Sequence, residues 1–473
     1  MDETGLGGGV PERSSALRLR APGAVLVICA ALAAGPGCER ASASPPAVPQ
    51  SEPAARKAGV DWPCFLGPTH DSKSSETGLK WPAEGPRKLW ERPLGEGYAA
   101  CSISKGRLYQ FDRSGGKARL VCLKSETGEL VWTFEYTSEY DDMYGYDPGP
   151  RCAPVIDEDR VYILGVEGML HCLQTADGKK LWSKDTVKDF GVQQNFFGVG
   201  GAPLVEGDLL IANIGGSPPG SPGIQSGQLK GDGSGIVAFD KKTGDVKYKV
   251  TDELASYASP LVTTVGGRRW GFVFARGGLV GFDPASGKVD FHYPWRAPIL
   301  ESVNAANPVV VDDKVLISEA YGVGASVLKV KPGGYDVVWV DGRKRDRSLM
   351  THWNTPIHVD GYVYASSGRH TQEAELRCVE LATGKVQWAE PRLTRSSLLY
   401  VDGHFVCLGE DGVLRLLKVN PRQYEEAGKL TLKNASGDPL IKYPAWAAPV
   451  LSHGLLYVRG KDRLVCLELI PEK

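Results

Sequence analysis

Short apolar stretches separated by polar turns recur from about residue 61 onwards, and residues 153–182 show this pattern most clearly. They read APVIDEDRVYILGVEGMLHCLQTADGKKLW. Apolar or alternating runs are interrupted by turns, and the last turn, Ala-Asp-Gly, suits the positive φ that a tight hairpin requires. The pattern predicts three short antiparallel strands and a fourth that contains Trp182. Because such a unit cannot bury its own apolar faces, its meaning depends on whether it recurs.

The same pattern occurs eight times, at intervals of 42 to 57 residues. Six copies open with a small residue and Pro, and the second strand always follows a Gly or Asp. Five copies end with a Gly four residues before an aromatic: Gly128/Trp132, Gly178/Trp182, Gly244/Tyr248, Gly287/Phe291 and Gly384/Trp388. The fifth copy is offset, with Trp339 after Gly334, and the seventh lacks this turn. Several independent landmarks thus mark the same repeat.

The repeats predict an all-β fold, an eight-bladed β-propeller of four-stranded antiparallel blades. A period near 50 residues without a 3.6-residue apolar period favours blades over a helical solenoid. The eighth copy ends after its third strand, and residues 87–94, which contain Trp90, precede the first copy. We expect this N-terminal strand to complete the last blade and close the ring. Each aromatic landmark is expected to pack between neighbouring blades.

The repeat resembles the tryptophan-docking repeat of the pyrroloquinoline-quinone (PQQ) propeller superfamily. Residues 236–244 (IVAFDKKTG) and 279–287 (LVGFDPASG) match it most closely, and residues 62–68 (WPCFLGP) are similar to the entry segment of bacterial families of this kind. The resemblance covers about residues 61–473. It implies the propeller fold, but not an activity, because the superfamily contains both quinoprotein dehydrogenases and non-catalytic envelope proteins such as the outer-membrane assembly lipoprotein.

The segment before the repeats predicts export. Residues 21–34 form an apolar stretch after three Arg residues, too short to span a membrane, which is typical of a signal peptide. Cys38 follows Gly and resembles a lipoprotein cleavage site, although Gly35 stands where Leu is usual. Lipidation at Cys38 and ordinary cleavage after residue 43 both remain open. We therefore predict an export signal with an N-terminal extension (1–38), a disordered tether (39–60), the propeller (61–473), and a periplasmic or cell-envelope location.

Composition restricts the partners. The net charge is −1, which argues against nucleic-acid binding and against a polybasic membrane patch. Four of the ten cysteines, Cys122, Cys172, Cys378 and Cys466, share one place in the third strand, so we interpret them as small buried residues. One disulfide among Cys64, Cys101, Cys152 and Cys407 stays open. No Cys or His spacing typical of a metal site occurs, so no metal is expected.

The longest connections, 137–151, 186–201, 214–235, 292–307 and 341–354, all fall on one predicted face of the disc, which is where binding is expected. They deliver polar and aromatic residues just before the innermost strands. The candidates for an axial pocket that binds a small polar or planar ligand are Tyr98, Tyr146, Asp147, Arg151, Asn195, Tyr257, Glu301, Asn304, Asn307, Trp353, Asn354 and Trp446. Alternatively, these side chains hold loops around a water-filled channel. Arg151 is expected to pair with Asp147 or Glu301.

Catalysis by PQQ would require a Trp beneath the quinone, Ca²⁺ and a carboxylate base. Glu301 with Asn304 could bind the cation, and Trp353 or Trp446 could lie beneath the ring, but none belongs to a matching motif. We therefore favour a protein- or ligand-binding scaffold without a cofactor, a monomer that binds an envelope protein or a small polar ligand on its long-loop face. The alternatives are a PQQ- and Ca²⁺-dependent dehydrogenase of alcohols or sugars, and a carbohydrate-binding propeller.

Overall fold

A computed structural model describes residues 56, 58–342 and 347–472. In this part of the chain, 32 strands form eight four-stranded antiparallel sheets, in agreement with the predicted propeller. One five-residue helix, α1 (Thr186–Phe190), and a 3-10 turn (Ile224–Ser226) lie in connections. None of the described helices is long and apolar enough to cross a membrane. The predicted export signal, the tether and Cys38 lie outside the described residues, apart from the last residues of the tether.

Each blade is a meander whose first strand is innermost. Blades 1 to 4 consist of β2 (Ser102–Ser104), β3 (Arg107–Ser114), β4 (Lys117–Lys124), β5 (Leu130–Thr137); β6 (Val155–Asp157), β7 (Arg160–Leu164), β8 (Met169–Gln174), β9 (Lys180–Asp185); β10 (Leu204–Glu206), β11 (Leu209–Asn213), β12 (Ile236–Asp240), β13 (Val246–Val250); and β14 (Leu261–Val265), β15 (Arg268–Phe274), β16 (Gly278–Phe282), β17 (Val289–Pro294).

Blades 5 to 8 repeat this order. They consist of β18 (Val309–Val311), β19 (Lys314–Glu319), β20 (Gly324–Lys331), β21 (Gly334–Val340); β22 (Ile357–Val359), β23 (Tyr362–Ser367), β24 (Glu375–Glu380), β25 (Val386–Pro391); β26 (Ser396–Val401), β27 (His404–Gly409), β28 (Leu414–Lys418), β29 (Glu426–Leu430); and β30 (Val450–Ser452), β31 (Leu455–Arg459), β32 (Arg463–Glu468) with β1 (Arg87–Pro93) outermost.

The N-terminal strand closes the ring as predicted. β1 pairs antiparallel with β32, and Trp90 lies opposite Cys466. This register is the one found in the other blades, where Trp132 lies opposite Cys122 and Trp182 opposite Cys172. The two ends of the propeller are therefore joined by the same ladder that builds every other blade.

In six of the eight blades, the aromatic residue of the outermost strand fastens its blade to the next. The side chain on the outermost strand donates a hydrogen bond to a backbone carbonyl of the following blade. This carbonyl lies in the turn between the third and fourth strands, which we call the closing turn. The pairs are Trp90 to Ser125, Trp132 to Thr175, Trp182 to Lys241, Tyr248 to Pro284, Trp339 to Leu381 and Trp388 to Asn420, at 2.8–3.2 Å. The same turns require Gly: Gly178 has φ 75°, and a Cβ there would lie 2.6 Å from Trp132.

Blade 7 uses a different device. In its outermost strand, Gly428 occupies the place that an aromatic residue holds in the other blades, opposite Leu416. Trp81, which precedes β1, fills the space: a Cβ on Gly428 would lie 2.4 Å from Trp81 Nε1. The seventh repeat lacks the Gly-containing turn, as the sequence indicated, and the structure shows that the ring missing from this place is supplied by the N-terminal segment.

The eight cysteines within the described ranges are all buried and free. Cys122, Cys172, Cys378 and Cys466 lie opposite docking tryptophans in equivalent places, which confirms the interpretation of these four as small core residues. The pairing left open among the other four does not form.

The face of the disc opposite the long connections carries the tight turns, and we call it the short-turn face. Residues 61–76, which we call the N-terminal strap, cross this face. Trp62 exchanges two backbone hydrogen bonds with Ile103 of blade 1, and Pro63 O accepts from Ile156 of blade 2. Farther along the strap, on the other side of blade 8, Ser72 and Ser74 pair with Tyr400 of blade 7. The Glu76 carboxylate accepts from two backbone amides of blade 8. The strap therefore bridges the seam between the last and first blades.

Candidate functional site

A central cavity of about 370 Å³ lies on the propeller axis. Phe65 and Leu66 of the N-terminal strap line one end of it. At the other end, Tyr146 and Tyr443 line the cavity and are 60% and 53% exposed, so the cavity opens on the long-loop face. Its volume lies within the range of about 300–1,000 Å³ that is typical of small-molecule sites. The axial space is thus a blind pocket, closed by the strap.

Seven of the twelve predicted residues line this pocket. They are Tyr98, Tyr146, Arg151, Tyr257, Trp353, Asn354 and Trp446. All belong to connections that lead into an innermost strand, where the blades converge, and this placement is why the sequence could indicate them.

The other five predicted residues, Asp147, Asn195, Glu301, Asn304 and Asn307, do not line the pocket. Four of them hold loops: Asp147 accepts from the Gly149 amide, Asn195 donates to Ala255 O, Asn304 donates to Ala275 O and Trp295 O, and Asn307 accepts from the Ser259 amide. For these four, the loop-holding alternative describes what the side chains do.

The pocket wall is aromatic. The rings of Trp353 and Trp446 lie 5.4 Å apart at 54°, and Tyr98 meets Trp446 edge-on at 4.8 Å. Tyr146 and Tyr443 continue this wall towards solvent, each about 6 Å from Trp446. Trp353 Nε1 and the Tyr98 hydroxyl are buried, and neither has a hydrogen-bond partner among the described residues. The wall therefore offers aromatic surface to a bound molecule.

Behind the tryptophans lies a buried ion pair that the sequence analysis did not find. Arg395 donates to both carboxylate oxygens of Glu410, at 2.6 and 3.0 Å, and its guanidinium lies 4.5 Å from the Trp353 ring centre. Glu410 also accepts from Trp446 Nε1 at 2.8 Å and from the Thr371 hydroxyl at 2.7 Å. Burial by itself raises the pKa of Glu410, but these hydrogen bonds outweigh it and hold the pKa below its usual range.

Arg151 has a different partner from the one expected. Its guanidinium pairs with the buried Asp142 at 2.8 Å and donates to the backbone carbonyl of Asp147. Neither the carboxylate of Asp147 nor that of Glu301 is its partner. The expectation was wrong because Asp142 reaches Arg151 from within the same long connection, which turns back on itself.

Several further lining residues were missed: Tyr321, His352, Arg369, His370, Thr371, Gln372 and Arg395. Residues 369–372 lie between β23 and β24, a connection longer than most of its counterparts, and that length was the available signal. Burial lowers the pKa of His352 to about 3, with Arg395, Arg369 and His370 adding to the shift, so this imidazole is neutral at physiological pH.

The charge of the lining is one-sided. Arg151, Arg369 and Arg395 line the pocket, whereas no carboxylate side chain of the described residues does. No group of three or more potential metal-ligating side chains is found in the described ranges either. Because a hard cation beside a quinone requires carboxylate oxygens, this donor set does not fit the PQQ and Ca²⁺ site considered from the sequence.

Comparison with known proteins agrees with the repeat. A family model described as "Outer membrane protein assembly factor BamB" matches residues 144–390, slightly more than half of the chain. The chain belongs to this family. No curated protein sequence matches the chain.

Two solved structures share this family's propeller fold. BamB from Moraxella catarrhalis is 14% identical with a TM-score of 0.54, and the match covers 82% of this chain and 98% of that one. The quinohemoprotein alcohol dehydrogenase from Comamonas testosteroni is also 14% identical, with a TM-score of 0.60 and coverage of 89% and 82%. At this identity the likeness shows the fold alone.

Proposed function

We propose that this protein is an exported binding propeller of the cell envelope that receives a small ring-shaped ligand in its axial pocket. The observation that carries the proposal is the blind, aromatic-walled pocket, closed by the N-terminal strap at one end and open on the long-loop face. Such a pocket removes most of a small ligand's surface from water, and its few polar atoms orient the ligand.

The long-loop face also suits a protein partner. Tyr144, Tyr146 and Tyr443 are exposed there, and the three rings adjoin the pocket mouth through Phe197 and Trp446. Exposed aromatic clusters are enriched at protein interfaces. The name of the matching family, an assembly factor, supports a binding role of this kind. Occupancy of the pocket would then change the surface that the partner meets.

Blocking the pocket tests its use. Ala305 lines the cavity and is partly exposed to it, so Ala305→Trp should fill the cavity without disturbing a strand. Ala427→Trp, on the exposed surface of β29, is the matched control. After incubation with envelope extract, mass spectrometry should detect the same small molecule released from the native protein and from the control, and none from Ala305→Trp. Equal recovery from all three proteins would argue against the pocket.

Lipidation at Cys38, one of the two possibilities left open by the sequence, has its own test. Cys38→Ser should abolish incorporation of a labelled fatty acid and move the protein from the membrane fraction to the soluble periplasmic fraction. Labelling that is unchanged in Cys38→Ser would contradict lipidation at this residue, whereas export without labelling of the native protein would favour ordinary cleavage.

The dehydrogenase alternative has support from the shared fold with the Comamonas enzyme but not from the pocket lining. Glu301 and Asn304, its candidate cation ligands, do not line the cavity, and the Asn304 amide donates to backbone carbonyls. Purified protein supplied with PQQ, Ca²⁺ and an alcohol or aldose should therefore not reduce an electron-accepting dye. Sustained turnover would replace our proposal with the enzymatic one.

A further inference from the structure

We propose that Arg369 binds the carboxylate of a ring-shaped acid, either an aromatic acid or a uronic acid, in the axial pocket. This inference rests on the proposed function, and it specifies the class of ligand. It follows from the position and pairing of one guanidinium, from the way its loop is fastened, and from the charge of the lining.

Arg369 differs from the other two arginines of the pocket. Arg151 pairs with Asp142 and Arg395 pairs with Glu410, so buried carboxylates neutralise those two positive charges. The Arg369 guanidinium lies 4.3 Å from the centre of the Tyr321 ring and has no carboxylate partner in the part of the chain that the structure describes. It is therefore the charge that remains available to a ligand.

The loop that carries Arg369 is fixed in place. The Gly368 amide donates to Met350 O at 2.8 Å, and the Arg369 carbonyl accepts from Arg395 Nη1 at 3.1 Å. Two residues later, the Thr371 hydroxyl donates to Glu410. Because the loop is tied to the buried ion pair and the Arg369 guanidinium rests against the Tyr321 ring, less entropy is lost when a ligand binds.

The surroundings favour an anion over a neutral molecule. No acidic side chain among the described lining residues competes for Arg369. Burial is the main cause of the depressed pKa of His352, and the charges of Arg395, Arg369 and His370 lower it further, in line with the positive lining. A carboxylate meets a guanidinium in a bidentate geometry, and this pairing is the one that arginine forms most specifically.

The rest of the pocket indicates a ring. Trp353 and Trp446 both line the pocket, with ring centres 5.4 Å apart, and so present a continuous aromatic surface to it. Aromatic rings stack on such surfaces, and sugar rings pack their C–H faces on them. An aromatic acid and a uronic acid both carry a carboxylate on a ring, and the experiment below distinguishes between them.

Isothermal titration calorimetry with defined probes tests the inference. The probes are indole-3-acetate and galacturonate, each compared with its neutral counterpart, indole-3-acetamide and methyl galactoside. We expect one of the acids to bind about tenfold or more tightly than its neutral counterpart, since a bond to a charged group contributes this much. Arg369→Gln should remove that difference, and Arg369→Lys should restore part of it.

Arg422→Gln is the matched control. Arg422 is exposed in the turn before β29 and does not line the pocket. It should leave the affinity of every probe unchanged. If acid and neutral probes bind equally to the native protein, or if Arg369→Gln leaves the preference intact, the inference is wrong while the pocket's binding role stands. If no probe binds at millimolar concentration, both the inference and the proposed ring-binding function fail.

Discussion

Replacing Trp90 by alanine is expected to lower the free energy of unfolding by about 3–5 kcal/mol, the usual cost of truncating a large packed aromatic side chain. Trp90 is 9% exposed, donates to Ser125 O at 3.0 Å and packs against the Gly128 turn. Unlike the other docking residues, it also belongs to the strand that closes the ring. Its loss therefore weakens both a blade contact and the seam.

Urea denaturation followed by far-ultraviolet circular dichroism measures this effect. Lys88→Ala on the same strand is the control, since Lys88 is exposed and forms only a surface ion pair with Glu91, which contributes about 1 kcal/mol or less. A chain that begins at residue 95 should fail to give a soluble monomer, because β32 would lose its partner and the seam would also lose the N-terminal strap. Native stability in Trp90→Ala would show that the seam does not depend on this contact.

Replacing Glu410 by glutamine should destabilise the protein by about 3–5 kcal/mol, because Arg395 would remain buried without its counter-charge. Glu410 has a fully buried side chain and accepts from Arg395, Thr371 and Trp446. The same change should loosen the loop that carries Arg369. Affinity for the acid probes should therefore fall together with stability.

The pH dependence of stability provides a second readout for this pair. The pKa of Glu410 is depressed in the folded state, so its contribution is present above the unfolded-state value near 4.5 and is lost as the pH falls through the folded-state value. The difference between native protein and Glu410→Gln should be full at pH 7 and shrink below about pH 4. Glu129→Gln, in an exposed pair with Lys124, should show little difference at either pH.

The fold could be predicted because each repeat carries several independent marks. The Gly of the closing turn, the aromatic of the fourth strand and the Gly or Asp before the second strand all have local physical causes, and they agree with one another. Trp90 was placed correctly because blade 8 lacked a strand of the same kind. Local signals recurring in register are enough to specify a radial architecture.

The site could be predicted only in part. Tyr98, Trp353 and Trp446 were found because they precede innermost strands, but Arg369 and Glu410 lie between the second and third strands of their blades, in connections that the sequence analysis did not single out. Which turn residue points to the axis depends on the packing of eight blades, and one repeat does not contain that information. Likewise, the N-terminal strap is held by bonds between residues more than 300 positions apart, such as Ser72 and Leu398.

A crystal structure of the protein grown with indole-3-acetate and, separately, with galacturonate would test the central claim most directly. Our account predicts one of these acids in the axial pocket, its ring against Trp353 or Trp446, its carboxylate on the Arg369 guanidinium, and the N-terminal strap closing the opposite end. A ring open at both faces, or both acids bound only outside the axial pocket, would contradict it.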